Sequence, residues 1–260
     1  LLFITSTTFS QSKVNVNSLK EYSGKAYYDD EPYTGRVYES NGKKTLQGQY
    51  KNGLKTGKWT EWYSDGQKKD EGTYKDGKLD GKWTAWFESG QKRYEHTYKG
   101  GLRTGKWTWW HSNGKKEEET SYKDGPKDGL QTYWYKNGQK EGEKSFKDGQ
   151  MDGLATLWWS NGQKRTEGTY KKDKEDGLHT WWHENGQKWI ETTYKDGKKD
   201  GLYTDWNKNG QKKEELTYKD GKWDGVWTEW YENGQKEFER TYKDDELISS
   251  RYWNKDGSLR

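Results

Sequence analysis

A glycine recurs every 24 residues in this chain without insertion or deletion, and this spacing constrains the fold more than any other feature. The eight glycines are Gly57, Gly81, Gly105, Gly129, Gly153, Gly177, Gly201 and Gly225. We number each repeat from its glycine, so that Gly57 is position 1 and Asp80 is position 24. A repeat of this length is one supersecondary unit that buries apolar surface against its neighbours. The sequence therefore predicts a repeat array.

Each repeat contains two turn signals, separated by segments that favour strands. The first is Asn-Gly or a close variant, such as Asp65-Gly66 or Asn113-Gly114. Asn-Gly supplies the positive φ angles of a two-residue type I′ hairpin turn. The second is mostly Asp-Gly, such as Asp76-Gly77, and the segments between the turns are rich in Trp, Thr and Tyr. The pattern predicts a strand, a tight turn, a strand and a looser turn in every repeat.

The composition favours a thin sheet over a thick core. Only 27% of the residues are hydrophobic, but 18 Trp and 20 Tyr bury a large area each. We therefore predict an all-β fold, an elongated, solenoid-type single sheet of tandem antiparallel β-hairpins, roughly 80 Å long. Its predicted parts are an N-terminal cap at 12–34, repeats at 35–248 (one short copy and eight full ones) and a C-terminal cap at 249–260.

The first eleven residues differ from the rest of the chain. Leu1–Ile4 is apolar, small and hydroxylated residues follow, and the charged sequence begins after Gln11. This order predicts the remnant of a signal peptide at 1–11, and hence an exported protein. The alternatives are a buried first strand and a cytoplasmic location. No other run approaches the roughly 20 apolar residues of a membrane span.

The repeats separate into constant and variable positions. Position 4 is always Thr, position 6 always Trp, position 12 always Lys and position 15 always Glu. Alternate residues of a strand share a face, so positions 4 and 6 define one face, the Trp–Thr face. Positions 3, 5 and 7 define the opposite, variable face. A two-residue turn places Glu71 and Thr73 on the Trp–Thr face, whereas a one-residue bulge reverses this.

The constant tryptophans are predicted to form a structural ladder, with rings stacking from repeat to repeat. They are Trp62, Trp86, Trp110, Trp134, Trp158, Trp182, Trp206 and Trp230. The alternative is an aromatic ladder for a periodic ligand such as a glycan. The Lys and Glu columns are predicted to form solvated cross-strand charge pairs.

Aromatic residues on the variable face are most numerous in the middle of the chain. They are Trp107, Trp109, Tyr133, Tyr135, Trp159, Trp181 and His183. A patch of exposed rings is typical of an interaction site. A second packed layer explains the same residues, and the sequence leaves both interpretations open.

The sequence offers no catalytic, metal or cofactor site. His179 and His183 would lie about 13 Å apart on a strand, too far to share one metal ion. The Asp-Gly loops match no calcium motif, and the glycines form no phosphate-binding fingerprint. Cysteine is absent, which excludes thiolate ligands, and the net charge of +4 is too small and too evenly spread to predict nucleic-acid binding.

The segments Gly-x-Trp-Thr-x-Trp-Tyr-x-x-Asn-Gly-Gln-Lys and Thr-Tyr-Lys-Asp-Gly-x-x-Asp-Gly resemble the bacterial variant of the MORN repeat. This variant occurs in many proteins labelled as YwqK-family antitoxins. The resemblance covers roughly Gly35 to Gly257 and implies a β-hairpin array with a binding role and no catalytic residues.

The predicted function is a non-catalytic scaffold, whose partner is a protein or a surface glycan bound by the variable face. The alternative is an antitoxin or immunity protein that binds and neutralises a partner toxin.

Overall fold

A computed structural model describes residues 13–40 and 42–260, which divide into two compact units, one ending at Pro126 and the other beginning at Lys127. The predicted signal segment at 1–11 lies outside the described residues. Within the described residues, the regular elements are strands and a single 3-10 turn at Val16–Ser18. The described part of the chain contains no helix long and apolar enough to cross a membrane.

The part of the first unit that the structure describes contains thirteen strands. They are β1 (Lys13–Asn15), β2 (Lys20–Tyr22), β3 (Lys25–Tyr28), β4 (Glu31–Pro32), β5 (Gly35–Ser40), β6 (Lys44–Lys51), β7 (Leu54–Trp62), β8 (Lys68–Lys75), β9 (Lys78–Leu79), β10 (Gly81–Trp86), β11 (Lys92–Lys99), β12 (Leu102–Trp110) and β13 (Lys116–Tyr122). From β5 to β9 each strand pairs antiparallel with the next. Strand β10 pairs with β8, beside the short β9, and the antiparallel pairing then continues from β10 to β13.

Twelve strands belong to the second unit and follow the same plan. They are β14 (Lys127–Trp134), β15 (Lys140–Lys147), β16 (Gln150–Trp158), β17 (Lys164–Lys171), β18 (Lys174–Trp182), β19 (Lys188–Lys195), β20 (Lys198–Trp206), β21 (Lys212–Lys219), β22 (Lys222–Trp223), β23 (Gly225–Trp230), β24 (Lys236–Lys243) and β25 (Glu246–Tyr252). The prediction of tandem antiparallel hairpins is confirmed in both units.

A small second sheet covers the start of the first ladder. Strands β2, β3 and β4 form this sheet, and Ala26 and Tyr33 from it pack with Val37, Tyr50 and Trp59. Backbone hydrogen bonds join the small sheet to the first ladder; in one of them the amide of Ala26 donates to the carbonyl of Gly53 at 2.8 Å. This cluster forms an apolar core between the small sheet and the first ladder.

The domain boundaries predicted from the sequence stay predictions.

The two turn types are the reverse of the prediction. At Asp76-Gly77 both residues have positive φ, +49° and +78°, and Lys75 pairs with Lys78, so Asp-Gly forms the tight type I′ turn. At Asn161-Gly162 only the glycine has positive φ, and the Trp159 amide bonds to the Gln163 carbonyl around a three-residue loop. Asn there serves another purpose, because its Oδ1 accepts the amide of Gln163 at 2.9 Å.

A bulge in every hairpin compensates for the longer loop. In the first repeat Trp62 pairs with Lys68 but Glu61 pairs with Asp70, so Lys69 is the extra residue. The added loop residue and the bulge cancel, and Thr60 still faces Glu71. The faces are therefore those expected for a two-residue turn, with positions 4, 6, 15 and 17 on the Trp–Thr face. Positions 3, 5, 14, 16 and 18 lie on the variable face.

Consecutive repeats are joined at both rows of turns. At the type I′ turns, the amide of Gly101 donates to the carbonyl of Leu79, and that of Gly197 to the carbonyl of Glu175, both at 2.8 Å. At the Asn-Gly turns, Nδ2 of Asn161 donates to the carbonyl of Glu184 at 2.9 Å. Each repeat therefore fixes the turns of the next.

Glycine at position 16 makes room for a ring at position 3 of the next repeat. A Cβ atom on Gly72 would lie 1.9 Å from Cε3 of Trp83, and one on Gly168 would lie 2.2 Å from Nδ1 of His179. Where position 16 is Thr192, its strand partner at position 3 is Tyr203. In these repeats the small residue at position 16 therefore leaves the space that the ring at position 3 occupies.

We predict that Gly72→Thr lowers the free energy of unfolding by ~1–3 kcal/mol, because the new side chain displaces the Trp83 ring. Adding Trp83→Tyr recreates the pair found at Thr192 and Tyr203 and should recover part of the loss. Urea denaturation of the parent, of Gly72→Thr, of Trp83→Tyr and of the double variant measures this. If the double variant loses the sum of the two single effects, the two positions are not coupled.

Candidate functional site

The Trp–Thr face is a closed network of side chains that repeats along each unit. In every repeat the Lys at position 12 forms an ion pair with the Glu at position 15, at 2.7 Å between Lys68 and Glu71. The other pairs are 92–95, 116–119, 140–143, 164–167, 188–191, 212–215 and 236–239. Both ions of each pair lie on the same strand, on either side of the bulge residue, and not on neighbouring strands as predicted. In the first repeat Glu71 also has a cross-strand partner, Lys58, at 2.9 Å.

Electrostatics explain why this Glu is constant. Burial alone would raise the pKa of Glu71, but hydrogen bonds from Lys68 and Lys58 outweigh it and lower the pKa. The hydroxyl of the buried Thr60 also donates to Glu71, at 3.4 Å. The carboxylate thus stays charged and holds three side chains in place.

The constant tryptophans are joined by lysines. Nζ of Lys44 lies 4.2 Å from the ring centroid of Trp62, and Nζ of Lys68 lies 5.6 Å from that of Trp86. The same contact covers Trp110, Trp158, Trp182, Trp206 and Trp230. Rings one repeat apart are two strands, or about 10 Å, away, too far to stack, and the lysine of the intervening strand fills the gap. The predicted ring-on-ring stacking is therefore wrong, although the rings do form a regular column.

Variable residues converge on the opposite face, where they form a cleft in the first unit. The cleft has a volume of about 520 Å³. Its lining comes from strands β8 to β12 and comprises Asp70, Tyr74, Leu79, Trp83, Arg93, Tyr94, His96, Tyr98, Arg103, Trp107 and Trp109. Of these, only Trp107 and Trp109 are among the residues predicted to bind.

Three stacked rings are central to this cleft. The His96 ring lies parallel to Tyr94, with centroids 4.4 Å apart, and to Trp107, with centroids 3.9 Å apart. Trp107 is only 4% exposed, so it packs instead of presenting its face to solvent. Trp109 is half-buried and meets the edge of His96 at 4.6 Å.

The charges of the cleft are unequal. Burial, reinforced by Arg103, lowers the pKa of His96 to about 4, so the imidazole is neutral at pH 7. Asp70 accepts a hydrogen bond from Nε1 of Trp83 at 3.1 Å, but burial and then the charge of Glu61 raise its pKa. Arg93 and Arg103 are exposed at the same cleft.

The other predicted binding residues lie in the second unit, and three of them connect repeats. Tyr135 Oη donates to the carbonyl of Trp158 at 2.7 Å, and Trp159 Nε1 donates to the carbonyl of Trp182 at 3.2 Å. His183 Nε2 lies 3.3 Å from the carbonyl of Trp206. Position 7 varies in sequence, but it has a ring with a polar atom in every repeat except those of Phe87 and Asn207. This shared chemistry indicates a structural role in these repeats.

The remaining two predicted residues occupy position 5 of the second unit. Tyr133 pairs with Gly142 across the strands. Trp181 lines a smaller hollow of about 180 Å³ with His179, Ala155 and Gly168. The seven predicted residues are thus divided between the cleft, the hollow, inter-repeat contacts and, for Tyr133, a pair within its own hairpin.

Sequence reasoning missed Tyr94, His96, Arg93 and Arg103. The first two occupy positions 14 and 16, which vary as much as positions 3 and 5. Their face depends on the hairpin register, which the sequence left open. Position 13, that of Arg93, is the bulge residue, and no alternation rule assigns its face.

We expect His96 to make the first unit less stable as the pH falls. A base with a lowered folded pKa contributes stability above its ordinary pKa of 6.5, and this is lost between pH 6.5 and about 4. The loss is on the order of 2–3 kcal/mol. The measurement is the difference in unfolding free energy between the parent and His96→Phe from pH 7.5 to 4. A difference that does not change with pH would refute a neutral, buried His96.

Comparison with known families gives one match, which recurs along the chain. The model described as MORN repeat variant matches residues 55–76, 79–99, 103–124, 127–148, 151–172, 175–196, 199–220 and 223–244. A comparison with curated proteins finds no significant match.

Proposed function

Because the chain belongs to the MORN repeat variant family, we propose that it is a non-catalytic binding scaffold whose protein partner docks on the variable face of the first unit. The observation that carries the proposal is that the Trp–Thr face has constant residues in constant contacts, whereas the opposite face varies in sequence. On the Trp–Thr face the same Lys, Glu, Thr and Trp contact one another in successive repeats. Sequence variation collects on the other face.

The cleft is the part of the variable face best suited to binding. It combines half-buried rings, such as Trp83 and Trp109, with a carboxyl group and two guanidinium groups. Aromatic residues and arginine are the side chains that contribute most to binding energy at protein interfaces. A volume of about 520 Å³ accommodates several side chains of a partner.

Two further expectations from the sequence are kept as proposals. The exported location depends on residues 1–11, and the antitoxin alternative depends on a resemblance alone. No contact of the described residues favours a toxin over another protein partner.

The neighbours Trp109 and Trp110 provide a matched test, because they are adjacent in β12 but point to opposite faces. We predict that the full-length chain captures a protein from native extract, that Trp109→Ala weakens capture roughly tenfold or more, and that Trp110→Ala retains it. Quantitative mass spectrometry of the captured proteins, on variants shown to be folded by circular dichroism, is the measurement. Loss with Trp110→Ala alone, or equal retention by both variants, would contradict the proposal.

A further inference from the structure

The cleft of the first unit presents two guanidinium groups that have no carboxylate partner. Among the residues that the structure describes, no carboxylate oxygen lies within 4 Å of Arg93 or Arg103. On the Trp–Thr face, by contrast, the lysines at position 12 are all paired with a Glu. The two guanidinium groups of the cleft are therefore not neutralised by a direct ion pair, and they are available to an anionic group of a partner.

Arg103 is held in place by the rings beneath it. Its Cζ atom lies 4.8 Å from the ring centroid of Trp107 and 5.3 Å from that of Tyr122, and Nη1 donates to Tyr122 Oη at 3.4 Å. A guanidinium on an aromatic face keeps its N–H donors in a fixed plane. Such an orientation lowers the entropic cost of binding an anion.

Several rings of this cleft stack face to face, so these faces are not accessible to a ligand. His96 lies between Tyr94 and Trp107, and Arg103 covers Trp107. A sugar ring that stacks on an aromatic side chain needs a free face, which His96 and Trp107 do not provide. The accessible chemistry beside them is the N–H fork of Arg103, which matches a carboxylate.

The surroundings of the fork contribute little opposing charge. Asp70 is the one carboxyl group that lines the cleft, and Nε1 of Trp83 already donates to it. His96 adds a buried Nε2 atom without a hydrogen-bond partner among the described residues. The net charge of the lining is positive, because the two arginines outnumber Asp70.

We propose that this cleft binds an acidic segment of a partner protein, with one carboxylate on Arg103, a second on Arg93 and an intervening apolar side chain against Trp109. This inference rests on the proposed function and specifies its partner. Carboxylate-to-guanidinium pairing is bidentate and short, and Arg103 is already oriented by Trp107 and Tyr122, so the contact is stronger than that of two freely moving surface charges.

The repeat provides a matched control for Arg103. Lys199 occupies the same position 23 in the second unit, and its Nζ lies 4.4 Å from the ring centroid of Tyr203 and 4.9 Å from that of Tyr218. Lys199→Gln therefore removes one positive charge from a similar aromatic setting outside the cleft.

The experiment is calorimetric titration of the full-length chain with a short acetylated and amidated peptide of alternating Glu and Leu. Its twin carries Gln in place of Glu. We expect the Glu peptide to bind and the Gln peptide to bind at least about tenfold more weakly. Arg103→Gln should weaken the Glu peptide roughly tenfold, Arg93→Gln should also weaken it, and Lys199→Gln should leave its Kd unchanged.

Three results of the titrations would overturn the inference, and a fourth comes from the capture experiment. The first is equal affinity for the Glu and Gln peptides, and the second is an equal loss with Arg103→Gln and Lys199→Gln, which would indicate general charge attraction. The third is Arg103-dependent binding of an oligogalacturonate by a chain that does not bind the Glu peptide. If Arg103→Gln still captures the cellular partner that Trp109→Ala loses, this inference fails while the proposed function stands.

Discussion

The hydrogen bonds that join the turns of successive repeats are the constraint on which the rest of the structure depends. Most of each ladder is a single sheet, so its strands cannot rely on a second layer for position. The turns supply it instead, through backbone donors such as Gly101 and side-chain donors such as Asn161 and Tyr135. Because these contacts connect nearest neighbours, each repeat adds a similar increment of stability. Because the turns fix the register of the strands, side chains on a sheet face can change in sequence without changing the fold.

The two faces differ in how their side chains contact one another. On the Trp–Thr face, each Glu forms an ion pair with a Lys, and in many repeats it also accepts a hydrogen bond from a Thr. The same Lys contacts the Trp ring of the next repeat. A substitution at one of these positions therefore disturbs the contacts of the three others. On the variable face, contacts are made in local pairs, such as Gly72 with Trp83 or His96 with Trp107. Local pairs can be exchanged without altering the register. This physical difference explains why variation, and with it the proposed binding site, collects on one side.

Much of the fold follows from the sequence, whereas the site follows only in part. The 24-residue period and the turn dipeptides predict the hairpins, and alternation places Trp59 and Trp62 on opposite faces. The turn types were not predictable from Asn-Gly alone, because Asn161 is selected for its hydrogen bonds and not for positive φ. The bulge that restores the register leaves no dipeptide signature. Without that register, His96 and Tyr94 could not be placed beside Trp107, and the burial of Trp107 could not be foreseen.

The most direct test of this account exchanges one atom at a turn. Asn161→Asp keeps the Oδ1 acceptor for Gln163 but removes the Nδ2 donor to Glu184. The account predicts a loss of about 1 kcal/mol in unfolding free energy, with faster amide exchange concentrated at residues 183–187. Asp65→Asn, which adds the donor that the first repeat lacks, should have the opposite effect. Unchanged stability in both variants, or exchange that rises evenly over the whole second unit, would contradict it.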